Sequence, residues 1–229
     1  MKNFSVSLKE KEITWSAGYL LFSLLILPGL ITHGVKLLAF SVSAPWLNLT
    51  YYSINFLAVI WIFRSFLAGS IRHLKGHLLY LLVVAVVMLL AYFAATRLIA
   101  TLLHLLRPGF VNINDSVISQ NSKSNFFVTA IGTIFLVPVA EELLHRGLIF
   151  GVLRAKSRLL AYAVSTFLFA FIHISGYLGR YPVDTLLLCL LQYLPAGLCL
   201  GYAYEKSDSI FCPIIMHMAI NAIGIAAMR

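Results

Sequence analysis

Apolar and polar residues along the chain are grouped in long blocks. Apolar runs cover roughly residues 13–34, 51–68, 78–98, 126–153, 159–174, 185–204 and 210–228. Each is close to the about 20 residues that a helix needs to cross a hydrocarbon core. The pattern predicts an all-α fold, a polytopic transmembrane helical bundle of about seven spans. No long polar region interrupts it, so residues 1–229 read as a single integral-membrane domain. The third block runs on to Pro108, which stops a helix. The first block follows basic residues as the core of a signal peptide would, but no small-residue cleavage pattern comes after Leu27, Pro28 and Gly29, and it is read as a span.

Composition agrees with a membrane setting. Hydrophobic residues make up 61% and charged residues 11% of the chain, against about 25% charged in soluble proteins. The net charge of +9 would suit nucleic acid, but the basic residues are scattered over short loops without forming one face, so the lipid bilayer is the expected partner and nucleic acid is not. Lys2, Lys9 and Lys11 precede the first block, Arg64, Arg72 and Lys75 close the second, and Arg154, Lys156 and Arg158 close the fourth. The first loop, 35–50, holds only Lys36, and the Asn- and Ser-rich connection 111–124 is also poor in basic residues. Lys and Arg mark inner loops, so the N-terminus is expected in the cytoplasm, the C-terminus outside, and the protein in the cell membrane. Arg97 and Arg107 break the pattern and are expected to snorkel to the interface. Cys189, Cys199 and Cys212 lie in apolar surroundings without CxxC spacing, as small core residues do. Gly147 with Gly151, and Gly197 with Gly201, stand at GxxxG spacing and suggest close packing of the fourth and sixth spans.

One stretch breaks the apolar rule. The sequence VPVAEELLHR at 137–146 places two adjacent carboxylates, a histidine and an arginine inside a span. An ionisable group at bilayer depth costs at least about 2.5 kcal/mol, so such a cluster is a candidate site that requires partners. Glu142 and Arg146 stand at i and i+4 and can pair along the helix. Glu141 points about 100° away and needs a partner elsewhere, either His145 one turn on or a group from another span. His173 in FAFIH on the fifth block and His217 with Asn221 in HMAIN on the seventh supply such groups. Any one of these histidines alone is better explained as a core residue bonded to a carbonyl. Three spans carrying inward-facing Glu, His and His/Asn favour convergence, because intramembrane ionisable groups face one another or a water-filled cavity. A carboxylate can take a proton from water while imidazole and amide groups stabilise an oxyanion, which is the equipment for peptide hydrolysis. A divalent metal such as zinc on Glu141, His173 and His217 could activate the same water, although HExxH is absent.

Together the motifs resemble a known family. EELLHR at 141–146, FAFIH at 169–173 and HMAIN at 217–221 are similar to the EExxxR, FxxxH and HxxxN motifs of the CPBP intramembrane proteases. That family includes the type II CAAX prenyl endopeptidases and the bacterial Abi and bacteriocin self-immunity proteins. The resemblance covers a core at about 126–221, and the first three spans carry no matching motif. It implies an intramembrane endopeptidase acting on a peptide or membrane-protein substrate. Glu141 would be general base, His173 its partner, His217 and Asn221 the oxyanion-stabilising pair, and Glu142 and Arg146 supporting residues. His145 falls at a position that the motif leaves free. No cofactor is required, since these groups suffice to activate water, and a glutamic-type reaction is preferred to a metalloprotease. The short loops resemble the bacterial branch, where peptide processing or bacteriocin immunity is expected. The alternative is a non-catalytic membrane immunity or binding protein on the same fold. A proton-coupled transporter is disfavoured by the lack of an internal repeat.

Overall fold

The computed structural model describes residues 8–38, 41–74 and 76–228, so Lys2 and Lys75, used in the topology argument, lie outside the described residues. Regular structure among the described residues is helical, without strands. Helices α1 (Glu10–Leu25) and α2 (Leu27–Leu37) meet at 50°, and α3 (Ala44–Ile62) and α4 (Arg64–Leu74) form a second bent pair broken at 70°. Then follow α5 (Leu78–Leu106), α6 (Ile113–Ser124), α7 (Phe126–Arg154), α8 (Arg158–Ser175), α9 (Val183–Ser207) and α10 (Phe211–Ala227).

Helices α5, α7, α8 and α9 are long and apolar enough to cross a membrane, and counting each bent pair as one span raises the number to six. This corrects the expectation of about seven. Apolar length does not reveal a break such as the one beside Pro28, whose missing N–H cannot continue the ladder of α1. Helix α10 has 17 residues, about 25 Å at the usual rise, against a hydrocarbon core of about 30 Å. A second correction concerns 111–124, treated above as a connection. Asn112 accepts the backbone N–H groups of Asn114 and Asp115 and thereby caps the polar helix α6.

Helix α7 is the axis of the bundle. Pro138 lies within it and would clash with the carbonyl four residues back. The π-helical stretch Ile131–Leu136 immediately before Pro138 widens the helix there, and a second one, Leu143–Phe150, follows Glu142. Helix α3 packs along α7, α1 against α3 and α7, α10 against α5, α7 and α9, and α9 against α5 and α8. One core cluster contains Phe63, Leu143, Phe150, Tyr204 and Ile210, and a second contains Leu81, Phe169, Leu200 and Met216. Large apolar side chains such as Leu79, Leu90 and Leu105 face outward, as lipid contact allows. The three cysteines are free and buried.

The spaced glycines bring in α8 and α3 beside the expected contact between α7 and α9. A Cβ at Gly197 would come within 2.7 Å of Thr166 Cγ2 and 3.0 Å of its Cα, so this glycine seats α9 on α8. Gly201 faces Tyr162 and Phe150, while Gly147 faces Phe63 of α3. Arg107 is paired, donating to Asp184 Oδ2 at 3.0 Å and Thr185 Oγ1 at 2.9 Å, while Arg97 is exposed.

Candidate active site

The two carboxylates of α7 diverge as the helical rotation requires. Glu142 points into the bundle and is completely enclosed, as is Arg146, whose Nη1 donates to Glu142 Oε1 at 2.8 Å. Arg146 Nη2 donates to the Gly197 carbonyl at 3.1 Å, and its guanidinium lies 4.4 Å from the centre of the Phe169 ring. The close approach of α9 at Gly197 thus supplies a second acceptor for a buried cation. Glu141 turns the other way and lines a cavity of about 700 Å³.

Helices α7, α8 and α10 bring their motif residues to that cavity, which Glu141, His173, His217 and Asn221 all line. His217 Nδ1 lies 2.8 Å from Glu142 Oε1 and its Nε2 3.9 Å from Glu141 Oε2. With Nδ1–H donating to the carboxylate of Glu142, neutral His217 keeps its lone pair on Nε2, on the side of Glu141. The 3.9 Å gap is too long for a direct hydrogen bond and suits a bridging water or substrate atom. His173 Nδ1 lies 2.7 Å from the Phe169 carbonyl, which can only accept, so its Nε2 also carries the lone pair in the neutral ring. Asn221 Nδ2 donates one hydrogen to the Thr133 carbonyl at 2.8 Å and retains a second. Glu141 Oε2 is buried and, among the described residues, lacks a hydrogen-bond partner. His145 does not reach the Glu141 carboxylate. Its Nδ1 bonds the Glu141 main-chain carbonyl at 2.9 Å, and the ring is buried against Phe169.

Residues 123–223 match the family model described as Type II CAAX prenyl endopeptidase Rce1-like. The motif-bearing core is similar to this family. The match opens just before α7 and closes just past Asn221, so it includes each residue described above. The UPF0177 protein YxdF of Lactococcus lactis subsp. lactis (strain IL1403) is 31% identical over 94 residues, which are 41% of this chain and 46% of that protein. The chain therefore spans about half the length of the curated relative it matches. No solved structure matches the chain.

Outside the three motifs, the structure adds residues that the sequence did not single out. Helices α1 to α3, which carry no motif, contribute Leu24, Pro28, Tyr51 and Tyr52 to the cavity wall. They are joined by hydrogen bonds from Tyr51 to the Ser23 carbonyl at 3.1 Å and from Tyr19 to Asn55 at 3.0 Å. The opposite wall contains Tyr193 of α9, whose ring stacks on His173 at 4.1 Å, and Asn114 and Asp115 of α6. Asp115 is open to the cavity yet surrounded by protein. Burial raises its carboxyl above the ordinary carboxylate range, against the opposing effects of the Tyr193 hydroxyl bond and of nearby His173. An asparagine at 112 ahead of a polar run is the signal that could have placed a helix at this wall, while nothing in the spacing of α9 marks Tyr193.

Zinc in catalytic sites takes three protein ligands and water. Among the described residues, no three of His, Cys, Asp and Glu are grouped closely enough to hold a metal ion.

Proposed function

We propose that the chain is an intramembrane endopeptidase in which Glu141 activates water for attack on a peptide carbonyl. One observation carries this reading: Glu141, His173, His217 and Asn221 share a cavity, while adjacent Glu142 faces the other way and holds His217 from behind. Glu141 accepts the water's proton, and the hydroxide oxygen adds to the carbonyl carbon. The second Nδ2 hydrogen of Asn221 and the Nε2–H of His217, when protonated, donate to the resulting oxyanion. Glu141 then gives its proton to the departing amine as the carbon–nitrogen bond breaks. His173, with its lone pair on Nε2, orients the water. The family match supports a peptide substrate, and the apolar helices support a multi-pass location in the bilayer. Processing of a bacteriocin-like peptide, in self-immunity, is the narrower biological role that we infer from the resemblance to the bacterial branch.

The test is a cleavage assay with purified protein and a solubilised membrane proteome, in which new N-termini are mapped for wild type and Glu141→Ala. Cleavages confined to wild type are expected. Identical N-termini in both samples would leave the fold as a binding or immunity protein.

A further inference from the structure

We propose that Tyr193 is a positioning residue for His173, fixing the plane of its imidazole from the polar helix α6. The proposal rests on the peptidase reading above and extends it to a helix outside the membrane-crossing set. His173 has one hydrogen bond of its own, from Nδ1 to the Phe169 carbonyl. A single bond of that kind leaves the ring free to pivot about it, and with the ring the direction of Nε2. Two aromatic neighbours remove this freedom. Phe169, one turn earlier on α8, lies 4.9 Å from the imidazole at 51°, and Tyr193 of α9 lies nearly parallel to it at 4.1 Å and 24°.

Tyr193 is itself held at its far end. Its hydroxyl is 3.2 Å from both Asn112 Oδ1 and Asp115 Oδ1 and receives Asn114 Nδ2 at 3.1 Å. Asn112 Oδ1 already accepts the backbone N–H groups of Asn114 and Asp115, so the single hydroxyl proton is assigned to the Asp115 carboxylate. Helix α6 is secured in turn by Asn112 Nδ2 donating to Gln192 Oε1 at 2.7 Å and by Tyr177 donating to Asn114 Oδ1 at 3.3 Å. Gln192 and Tyr193 are adjacent on α9, so this anchoring ties α6 to the turn that carries the stacked ring. The consequence is a continuous path from α6 through Tyr193 to His173. A ring that merely filled space would need no anchored hydroxyl and no parallel orientation.

Two measurements test the proposal. In protein labelled with 13C and 15N at histidine, with the His173 signal identified by its loss in His173→Gln, wild type should show a ring-shielded His173 Hε1 and an Nδ1-protonated tautomer. Tyr193→Leu should lose the shielding, and Tyr193→Phe, which keeps the ring without its anchor on α6, should lose part of it; a Tyr193→Phe signal identical to wild type removes α6 from the path. An unchanged His173 signal in Tyr193→Leu overturns the proposal whatever the activity. This arm requires no turnover, so it stands apart from failure of the peptidase reading. For the fastest cleavage found in the proteome assay, presented as a quenched fluorogenic peptide, Tyr193→Leu should lower kcat on the order of 10- to 100-fold, as misplacement of a reacting group does, with KM within about twofold. Tyr193→Phe should recover only part of the loss, the remainder being the share of the hydroxyl anchor on α6. A Tyr193→Leu enzyme with wild-type kcat, or with only KM raised, overturns the positioning role and in the second case makes Tyr193 a substrate contact. If Tyr193→Leu does not accumulate, Tyr193→Met, closer in volume, is measured in its place against the same outcomes.

Discussion

Glu141 and Glu142 are neighbours in sequence and opposite in environment: the Glu142 side chain is fully enclosed, whereas Glu141 retains 21% of its exposure and faces the cavity. Glu142 bonds both Arg146 and His217 through one oxygen, Oε1. The first carboxylate therefore opens on the cavity, and the second holds Arg146 and His217.

This division predicts different failures. Glu141→Gln should keep normal abundance and lower cleavage by at least about 10²-fold, as loss of a general base does. Glu142→Ala and Arg146→Ala each leave a charge unpaired inside the bundle, at a cost of about 3–5 kcal/mol, and should lower abundance as well as activity. Quantitative immunoblots beside the cleavage assay decide it. Equal loss of protein in all three variants would remove the distinction between the two carboxylates.

The motif residues were legible because each is an ionisable or amide group in an apolar run, where its presence requires an explanation. The i, i+4 spacing of Glu142 and Arg146 gave their ion pair directly. What it could not show was that His217 would also choose Glu142, because that contact joins α10 to α7 and depends on how the helices pack. Tyr193 was invisible for a related reason: a tyrosine in a span is unremarkable until its ring is found against His173. The bend at Ile26 and the helical state of 113–124 were missed because hydropathy measures how apolar a run is, while a proline or a capping asparagine decides where a helix starts and stops.

Packing at Gly197 offers a second prediction. In Gly197→Ala the added carbon meets Thr166 at 2.7 and 3.0 Å, so α8 and α9 must separate, and the Gly197 carbonyl moves away from Arg146. Overpacking of this kind costs about 1–3 kcal/mol. The detergent-solubilised variant should melt lower. Adding Thr166→Ser should recover part of the loss, because it removes Cγ2 while the close approach to the residue 166 main chain persists. An unchanged melting temperature in Gly197→Ala would show that the two helices can shift without cost.

Asp115 should make stability depend on pH. Its carboxyl is raised in the folded protein, so the folded state holds this proton after the unfolded chain has released it. Below the ordinary aspartate range, about 3.9, both states are protonated and no penalty exists. As pH rises above it, the unfolded chain ionises first and stability falls until the folded carboxyl also ionises, after which the loss is constant. Asp115→Asn keeps an acceptor for Tyr193 and lacks this penalty. Its melting temperature relative to wild type should rise between pH 4 and neutrality, and a difference that stays flat across that range would contradict the raised carboxyl.

Orientation can be tested independently of chemistry. Between Lys75 and Lys156 the chain passes through α5 and α7, two helices long enough to cross, so both basic loops belong on one side. Lys and Arg in short loops favour the cytoplasm. Reporter fusions after Lys75 and after Lys156 should both report a cytoplasmic location. Opposite locations would mean that one of the two helices does not span.

The metal question sets two features of the site against each other. Histidines that bind a catalytic metal commonly donate their other ring N–H to a carboxylate or a carbonyl. His217 does so to Glu142 and His173 to the Phe169 carbonyl, which leaves Nε2 of each ring as the ligating atom. Yet Glu141, His173 and His217 are not gathered into a ligand set among the described residues. The tautomer of His173 would serve the proposed metal-free reaction equally well, with its Nε2 orienting the water that Glu141 deprotonates. Cleavage should therefore survive prolonged chelation, and elemental analysis of the purified protein should find no stoichiometric zinc. Loss of cleavage on chelation, restored by one equivalent of zinc, with metal bound to wild type but not to His173→Ala, would replace the metal-free mechanism while leaving the peptidase reading in force.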